Sequence, residues 1–316
     1  MKRDFEITSK YKNIFTAIAA VVLLLMPADR LLAMRCLQSK VLGSIAPAGV
    51  EQPSDIAIGP NGRIYLVDGV NNRIVVTDAD GKLQFIFGRN GDGEGELKYP
   101  MGIDISKKGQ VFIADTGNHR IQVFDPQGRF LYMFPVKTAP GEKPAAPVDV
   151  LALGRKNYLY VSDKDNHKIK VHKQKGAFVF EWGGFGEVRG RFRYPGILAA
   201  DQYNQIYVVD VLNTRIQEFD PDGNFITEIS TWGVSPGELF RPKGVVVDKA
   251  ERVFITDSFM GCIQVFTDVG GFLGVVCADG KKRNFTTPVG IAVDAENRLL
   301  VVEMRANRIR IVKVAQ

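Results

Sequence analysis

Apolar residues along the chain fall in short runs of three to six, mostly β-branched or aromatic, separated by turns rich in Gly, Asn and Asp. Runs of this length and composition predict strands rather than helices. Alignment on Pro53, Pro100, Pro147, Pro195, Pro242 and Pro288 puts them in register, at intervals of 47, 47, 48, 47 and 46 residues. After each Pro comes a first strand, such as Ile103-Asp104-Ile105 or Val245-Val246-Val247. A second strand ends in an acid, as in Phe112-Ile113-Ala114-Asp115, and a third opens on a motif such as Asn118-His119-Arg120-Ile121. A fourth follows a Gly hairpin such as Asp125-Pro126-Gln127-Gly128. Four short strands in a unit of this size fit a propeller blade, which cannot bury both faces alone and must stack in a ring. The sixth unit stops at Gln316 after its third strand, while Leu37–Ile45 stands ahead of the first unit in the register of a fourth. The expected fold is therefore all-β, a six-bladed β-propeller of four-stranded antiparallel blades over residues 36–316. Its N-terminal strand should pair with the third strand of the last blade, removing two exposed sheet edges.

Residues 1–35 have a different pattern. Ile14–Met26 is an uninterrupted apolar-to-neutral run of 13, preceded by Lys2, Arg3, Lys10 and Lys12. This reads as a signal peptide, or as an N-terminal membrane anchor attached through residues 14–26 if it is not cleaved. Met26-Pro27-Ala28 is the nearest cleavage candidate, and Arg35 before Cys36 argues against lipidation. The expected location is extracytoplasmic, in a bacterial periplasm or cell envelope. Charge changes the picture only slightly. The net +6 includes +3 from residues 1–35, so the remaining +3 does not announce a nucleic-acid surface. Hydrophobic residues at 45% and charged residues at 24% are ordinary globular values, which exclude wholesale disorder.

The third-strand motif Asn118-His119-Arg120-Ile121-Gln122-Val123-Phe124-Asp125 resembles the signature of NHL repeats, and Phe87–Pro100 resembles their blade-to-blade loop. Echoes of that loop are Trp182–Pro195 and Trp232–Pro242. The resemblance spans roughly residues 37–316. It implies a six-bladed propeller and leaves function open among interaction modules, RNA-binding propellers and a few enzymes. The ubiquitin-ligase relatives carry a zinc-binding RING and coiled coil ahead of the propeller, for which this chain has neither the Cys/His cluster nor the room.

The acid ending the second strand and the base opening the third recur as Asp68/Arg73, Asp115/Arg120, Asp163/Lys168, Asp210/Arg215 and Glu303/Arg308. Catalysis seldom needs five copies of one pair, so these are expected to brace the blades. Departures from the repeat are more informative. Two residues after each aligned Pro stand Asp55, Gly102, Asp149, Ile197, Gly244 and Gly290. Glycine suits backbones crowded at the axis, so Asp55 and Asp149, two blades apart, with Glu51 close to the first, mark a candidate carboxylate-lined site at the channel mouth for an amine or a divalent cation such as calcium. Asp92, Glu94 and Glu96 do not have the spacing of a calcium-binding EF-hand loop. His119 and His167 share one repeat register and read as structural, and no mouth position is His. This leaves little basis for an amidating-lyase-like metal site, whereas gluconolactonase-like propellers use acidic and amide ligands. A hairpin register that sets Thr267 opposite Phe272 also sets Cys262 opposite Cys277, which predicts a disulfide between them and a free Cys36.

Taken together, the sequence favours a monomeric, non-enzymatic, exported scaffold that presents its loop face to protein partners, with no nucleic acid and no required cofactor. The alternative is a metal-dependent hydrolase or lyase with its site at the channel mouth.

Overall fold

The computed structural model describes residues 35–277 and 285–315. The expected signal or anchor over residues 1–35 lies outside the described residues except for Arg35. The described residues contain strands and short 3-10 turns but no α-helix. Blades one to four are separate four-stranded antiparallel sheets. Blade two is typical, with Pro100–Ile105 innermost, then Val111–Asp115, Arg120–Phe124 and Phe130–Pro135 outermost. Its two middle strands are buried throughout, because neighbouring blades cover both their faces. The outermost strand alternates between half-buried and exposed positions over most of its length, as a strand at the rim must.

Six hydrophobic clusters hold the ring, one in each seam between successive blades. Val76, Tyr65, Ile113 and Phe124 fill the first seam, and Ile56, Leu66, Val302 and Ile309 fill the seam that joins blade six to blade one. The innermost strands are the narrow ends of the six wedges. They surround the central channel, each touching the innermost strands on either side.

The closing strand is Cys36–Ile45. It pairs antiparallel with Arg308–Val314 of blade six, from Ser39 opposite Val314 to Ile45 opposite Ile309. Its first residues also pair in parallel with Phe272–Cys277, the outermost strand of blade five. Blades five and six thus become one eight-stranded sheet, with the N-terminal strand as the shared seam.

That second pairing corrects the expected disulfide. Cys36 bonds to Cys277, with Cα atoms 5.5 Å apart, while Cys262 is buried and outside the bridge. The hairpin register was nearly as predicted, with Gln264 opposite Val275 and Val265 opposite Gly274. The pairing stops there, because Cys277 leaves its hairpin partner and lies beside Gln38 of the closing strand, which delivers Cys36.

Candidate functional site

The innermost strands carry few charges. Lys243 is their one basic residue, and the acids are Asp104 and Asp149, with Asp55 just ahead of Ile56–Ile58. Asp55 and Asp149 are 4% and 2% exposed, so they are not solvated loop acids. Each carboxylate reaches into the next blade. Ile103 N–H donates to Asp55 Oδ2 at 3.0 Å, Ala152 N–H to Asp104 Oδ2 at 2.7 Å, and Leu198 N–H to Asp149 Oδ2 at 2.7 Å. An innermost strand has an unpaired edge toward the channel, and these carboxylates satisfy part of it.

The same geometry brings Asp55 and Asp149 together. Their carboxyl groups lie within hydrogen-bonding reach of each other, and Asp149 Oδ1 is buried with no partner of its own. Blade two lies between them, and Gly102 makes room. A Cβ there would stand 2.3 Å from Asp149 Oδ1, and one on Gly290 would stand 2.7 Å from Asp55 Cα. Gly102 and Gly290 are thus required by crowding around the two acids, and Gly244 by the Val289 carbonyl oxygen, 2.3 Å from where its Cβ would stand. Burial, first, and then the neighbouring Asp104 charge push Asp55 up to about 7, against the pull of backbone N–H donors. Asp149 is raised well above the ordinary carboxylate range by burial and by the Asp55 charge, and burial takes Asp104 to about 6. Like charges in a desolvated site cannot all ionise, so the pair keeps a proton near neutral pH.

Asp104 and Lys243 were not singled out from the sequence. The signal for Asp104 was available. Its repeat position holds Ala57, Leu151, Ala199, Val246 and Ala292 in the other blades, all apolar. Lys243 is half-buried, burial lowers its pKa, and no carboxylate pairs with it among the described residues. No group of three or more His, Cys, Asp or Glu side chains among the described residues forms a ready-made metal cluster. A cavity of about 330 Å³ opens on the loop face of blade four, where Arg193, Arg215, Glu228 and the exposed Trp232 line it.

The recurring acids do structural work. Asp115 Oδ1 accepts the Lys98 N–H at 2.7 Å, and Asp68, Asp163, Asp210 and Glu303 accept the corresponding loop N–H in their own blades. Arg73, Arg120, Arg215 and Arg308 then pair with Asp68, Asp115, Asp210 and Glu303 at 2.5–3.0 Å through Nε. The outer nitrogens of Arg120 donate to Asp92, Gly93 and Glu96 carbonyl oxygens, which ties the connecting loop down. Glu96 itself accepts hydrogen bonds from Gly93 N–H and Arg89. Blade three corrects the expected Asp163/Lys168 pair. Lys168 turns instead to Glu142 and Glu181, and the buried Lys170 sits 3.6 Å from Asp163. The connecting loop of this blade supplies Glu142 where others supply carbonyls, so two lysines replace one arginine. His119 Nδ1 lies 2.6 Å from the Ala145 carbonyl, and His172 packs beside Phe134 and Phe178, both away from the channel acids. Replacing Arg120 by Ala strands the fully buried Asp115 charge. The expected loss in urea denaturation is about 3 kcal/mol, with activity per folded molecule unchanged.

Comparison with known proteins follows this geometry. The NHL repeat model matches residues 51–77 and 97–124, and a model described as a 6-bladed beta-propeller matches residues 197–275. The chain carries NHL repeats in a six-bladed propeller. No curated protein is similar to it at a significant level. Among solved structures, a gluconolactonase from Xanthomonas campestris is similar at 15% identity, covering 92% of this chain and 94% of its own, with a TM-score of 0.65. A streptogramin B lyase matches at 14% identity over 86% and 97%, with a TM-score of 0.62. The virginiamycin B lyase of Staphylococcus aureus, solved with quinupristin as a catalytically inactive histidine-to-alanine variant, matches at 17% identity over 88% of each chain, with a TM-score of 0.63. At such identities the likeness carries the fold. The reading of this propeller as a non-enzymatic scaffold is nevertheless overturned. These three solved proteins, each matched over most of its length, are enzymes, so the comparisons favour the alternative, a hydrolase or lyase at the channel mouth.

Proposed function

We propose that this NHL-repeat propeller is a divalent-cation-dependent hydrolase or lyase whose active site is the Asp55–Asp149 pair at the loop-face end of the channel. The observation that carries the reading is the pair itself, two buried carboxyl groups facing each other, with Asp149 Oδ1 lacking a protein partner. An ionised partner would take a proton from water or from the substrate, and a protonated one would return it to the leaving group. Asp104, raised to about 6, keeps negative charge beside the pair and so helps hold the proton there near neutral pH. Lys243, without a carboxylate partner among the described residues, is suited to anchor an anionic substrate group.

The donor set also fits a hard cation. Asp149 Oδ1 is buried and receives no hydrogen bond from an N–H or O–H donor, and Asp149 and Asp55 offer oxygen ligands of the kind calcium and magnesium accept. A bound cation would supply Lewis-acid polarisation of a substrate oxygen. Proton and cation would compete for the same oxygens, so cation affinity should fall as pH drops below about 7, the value to which Asp55 is raised. Calorimetric titration at pH 6 and pH 8 checks this. The gluconolactonase likeness makes sugar lactones the first substrates to assay, and the lyase likeness adds streptogramin B compounds such as quinupristin. The three histidines lie off the channel acids, which favours the lactone chemistry. No turnover of either class, with or without calcium, would overturn the proposal.

A further inference from the structure

The three cysteines of the chain stand on three neighbouring strands of one sheet. Cys262 opens the third strand of blade five, Cys277 ends the fourth, and Cys36 begins the closing strand, in that lateral order. Cys277 is therefore the middle one, bridged to Cys36 on one side and flanked by the strand of Cys262 on the other. Residues side by side in a sheet, and residues two apart on a strand, point to the same face. Cys36 lies beside Val275, two residues from Cys277. The hairpin register that sets Gln264 opposite Val275 carries Cys262 to the place opposite Cys277. All three side chains thus belong to one face.

Blade five departs from the repeat at this point. In blades two and three the equivalent positions are paired, Arg120 with Pro135 and Lys168 with Gly183. In blades one to four the following residue is paired too, as Ile121 is with Phe134. The blade-five hairpin stops short of both, at Gln264 and Val275, and Val276 and Cys277 pair with Leu37 and Gln38 instead. Gly274, at φ 149°, stands where the strand changes partner, at a position held by Phe85, Tyr132, Phe180 and Thr227 in the preceding blades. A Cβ there would stand 2.5 Å from the Arg35 carbonyl oxygen, so the glycine admits the closing strand. Cys262 has also given up the bracing role of its position. Asp257 accepts the backbone N–H groups of Phe240, Arg241, Phe259 and Met260, where the other blades add a base. The end of the fourth strand therefore has two alternative partners, and each brings a cysteine.

We propose that the bridge is exchangeable and that Cys262 is the thiol that releases it. Cys262, once deprotonated, attacks Cys277 Sγ. The Cys262–Cys277 bond forms, the Cys277–Cys36 bond breaks, and the electron pair leaves on Cys36 Sγ, which takes a proton from water. The number of disulfides is unchanged, so no oxidant or reductant is consumed. Such exchange needs the entering and leaving sulfurs on opposite sides of the sulfur attacked, and the strand order supplies that arrangement. Cys36 is exposed while Cys262 and Cys277 are buried, so the Cys36 thiolate is the one that water stabilises. A groove of about 630 Å³, lined by Cys36, Gln38, Lys40, Leu42 and Lys313, opens it to thiol reagents in solution. The exchange trades a crosslink with a sequence separation of 241, which latches the ring, for a short-range link inside one hairpin. The closing strand is then held by hydrogen bonds and packing alone, and its first residue carries a reactive thiol. This latch does not depend on the enzymatic reading.

The test uses the full chain, purified without reductant and held with iodoacetamide at about pH 8.5, where an ordinary thiol is half ionised. Peptide mapping without reduction then locates the bridge and the label. Label should accumulate on Cys36 together with a Cys262–Cys277 bridge, at a rate independent of protein concentration and flat in low urea. Cys262→Ser should slow that labelling by about tenfold or more. Cys36→Ser, incubated with oxidised glutathione, should map to a Cys262–Cys277 bridge. Label on Cys262 with the Cys36–Cys277 bridge intact would overturn the proposal. So would an absence of label, a labelling of Cys36 that is unchanged in Cys262→Ser or that tracks global unfolding in urea, or a Cys36→Ser chain whose two cysteines stay reduced or are capped separately.

Discussion

Deletion of residues 36–46 is expected to abolish the single cooperative melt of the propeller. The deleted strand is hydrogen-bonded on both sides, to blade five in parallel and to blade six antiparallel. Its removal exposes the edges of Phe272–Cys277 and Arg308–Val314, and it uncovers part of the cluster that includes Val276, Val312 and Val314. It also removes the Cys36–Cys277 bridge, which closes a loop with a sequence separation of 241. Chain-entropy arguments give such a crosslink about 5 kcal/mol. That approaches the whole stability of many domains, about 5–15 kcal/mol. Cys36→Ser alone should therefore lower Tm strongly yet leave a cooperative transition, because strand pairing survives. The deletion should broaden the transition and promote association through the bared edges. Calorimetry with and without reductant separates the two effects. A deletion variant that melts sharply within a few degrees of wild type would show that the ring does not depend on its closing strand.

The second large effect is expected at the channel pair. Asp149→Asn keeps an oxygen to accept the Leu198 N–H but cannot hold or release the shared proton. Loss of a positioned acid–base group typically costs about 10²–10⁴ in rate, and activity on whichever substrate is found should fall within that range. The stability change should have the opposite sign. Asp55 titrates near 7 in the folded chain and near 3.8 when unfolded. Below 3.8 both states are protonated and nothing is lost. Between 3.8 and 7 the folded state binds more protons, so stability falls as pH rises. Above 7 the full cost of the buried charge is present, about 4 kcal/mol as an upper figure. Asp55→Asn should therefore be more stable than wild type at pH 8 and nearly equal to it at pH 4. Denaturant melts at the two values decide this. A wild type whose stability rises from pH 4 to pH 8 faster than that of Asp55→Asn would contradict the burial argument.

The contrast between the two Asp positions and the recurring pairs shows what local pattern can reveal. Asp68, Asp115, Asp210 and Glu303 recur with their arginines, and each does the same structural job in its own blade. Asp55 and Asp149 stood out because they break a glycine register, and the fold sets their carboxyl groups against each other. Asp104 breaks an apolar register just as visibly, at a position where the other blades carry only apolar residues. What made it easy to pass over is that a single acid in a strand reads equally well as an exposed side chain until the neighbouring blade covers it.

The order of the strands, the number of blades and the identity of the closing strand follow from the sequence alone, because a unit repeated six times has one economical way to bury its faces. The repeat also assigned most of the bracing ion pairs, since both partners lie within one blade and five residues apart. Tertiary structure decided every contact made across a seam. It moved the disulfide from Cys262 to Cys36, exchanged the partner of Lys168, buried the channel acids and set Asp55 against Asp149 over a glycine. Such contacts join residues from 13 to 241 positions apart, and their geometry depends on how strands, loops and wedges lean on one another, which no local pattern encodes.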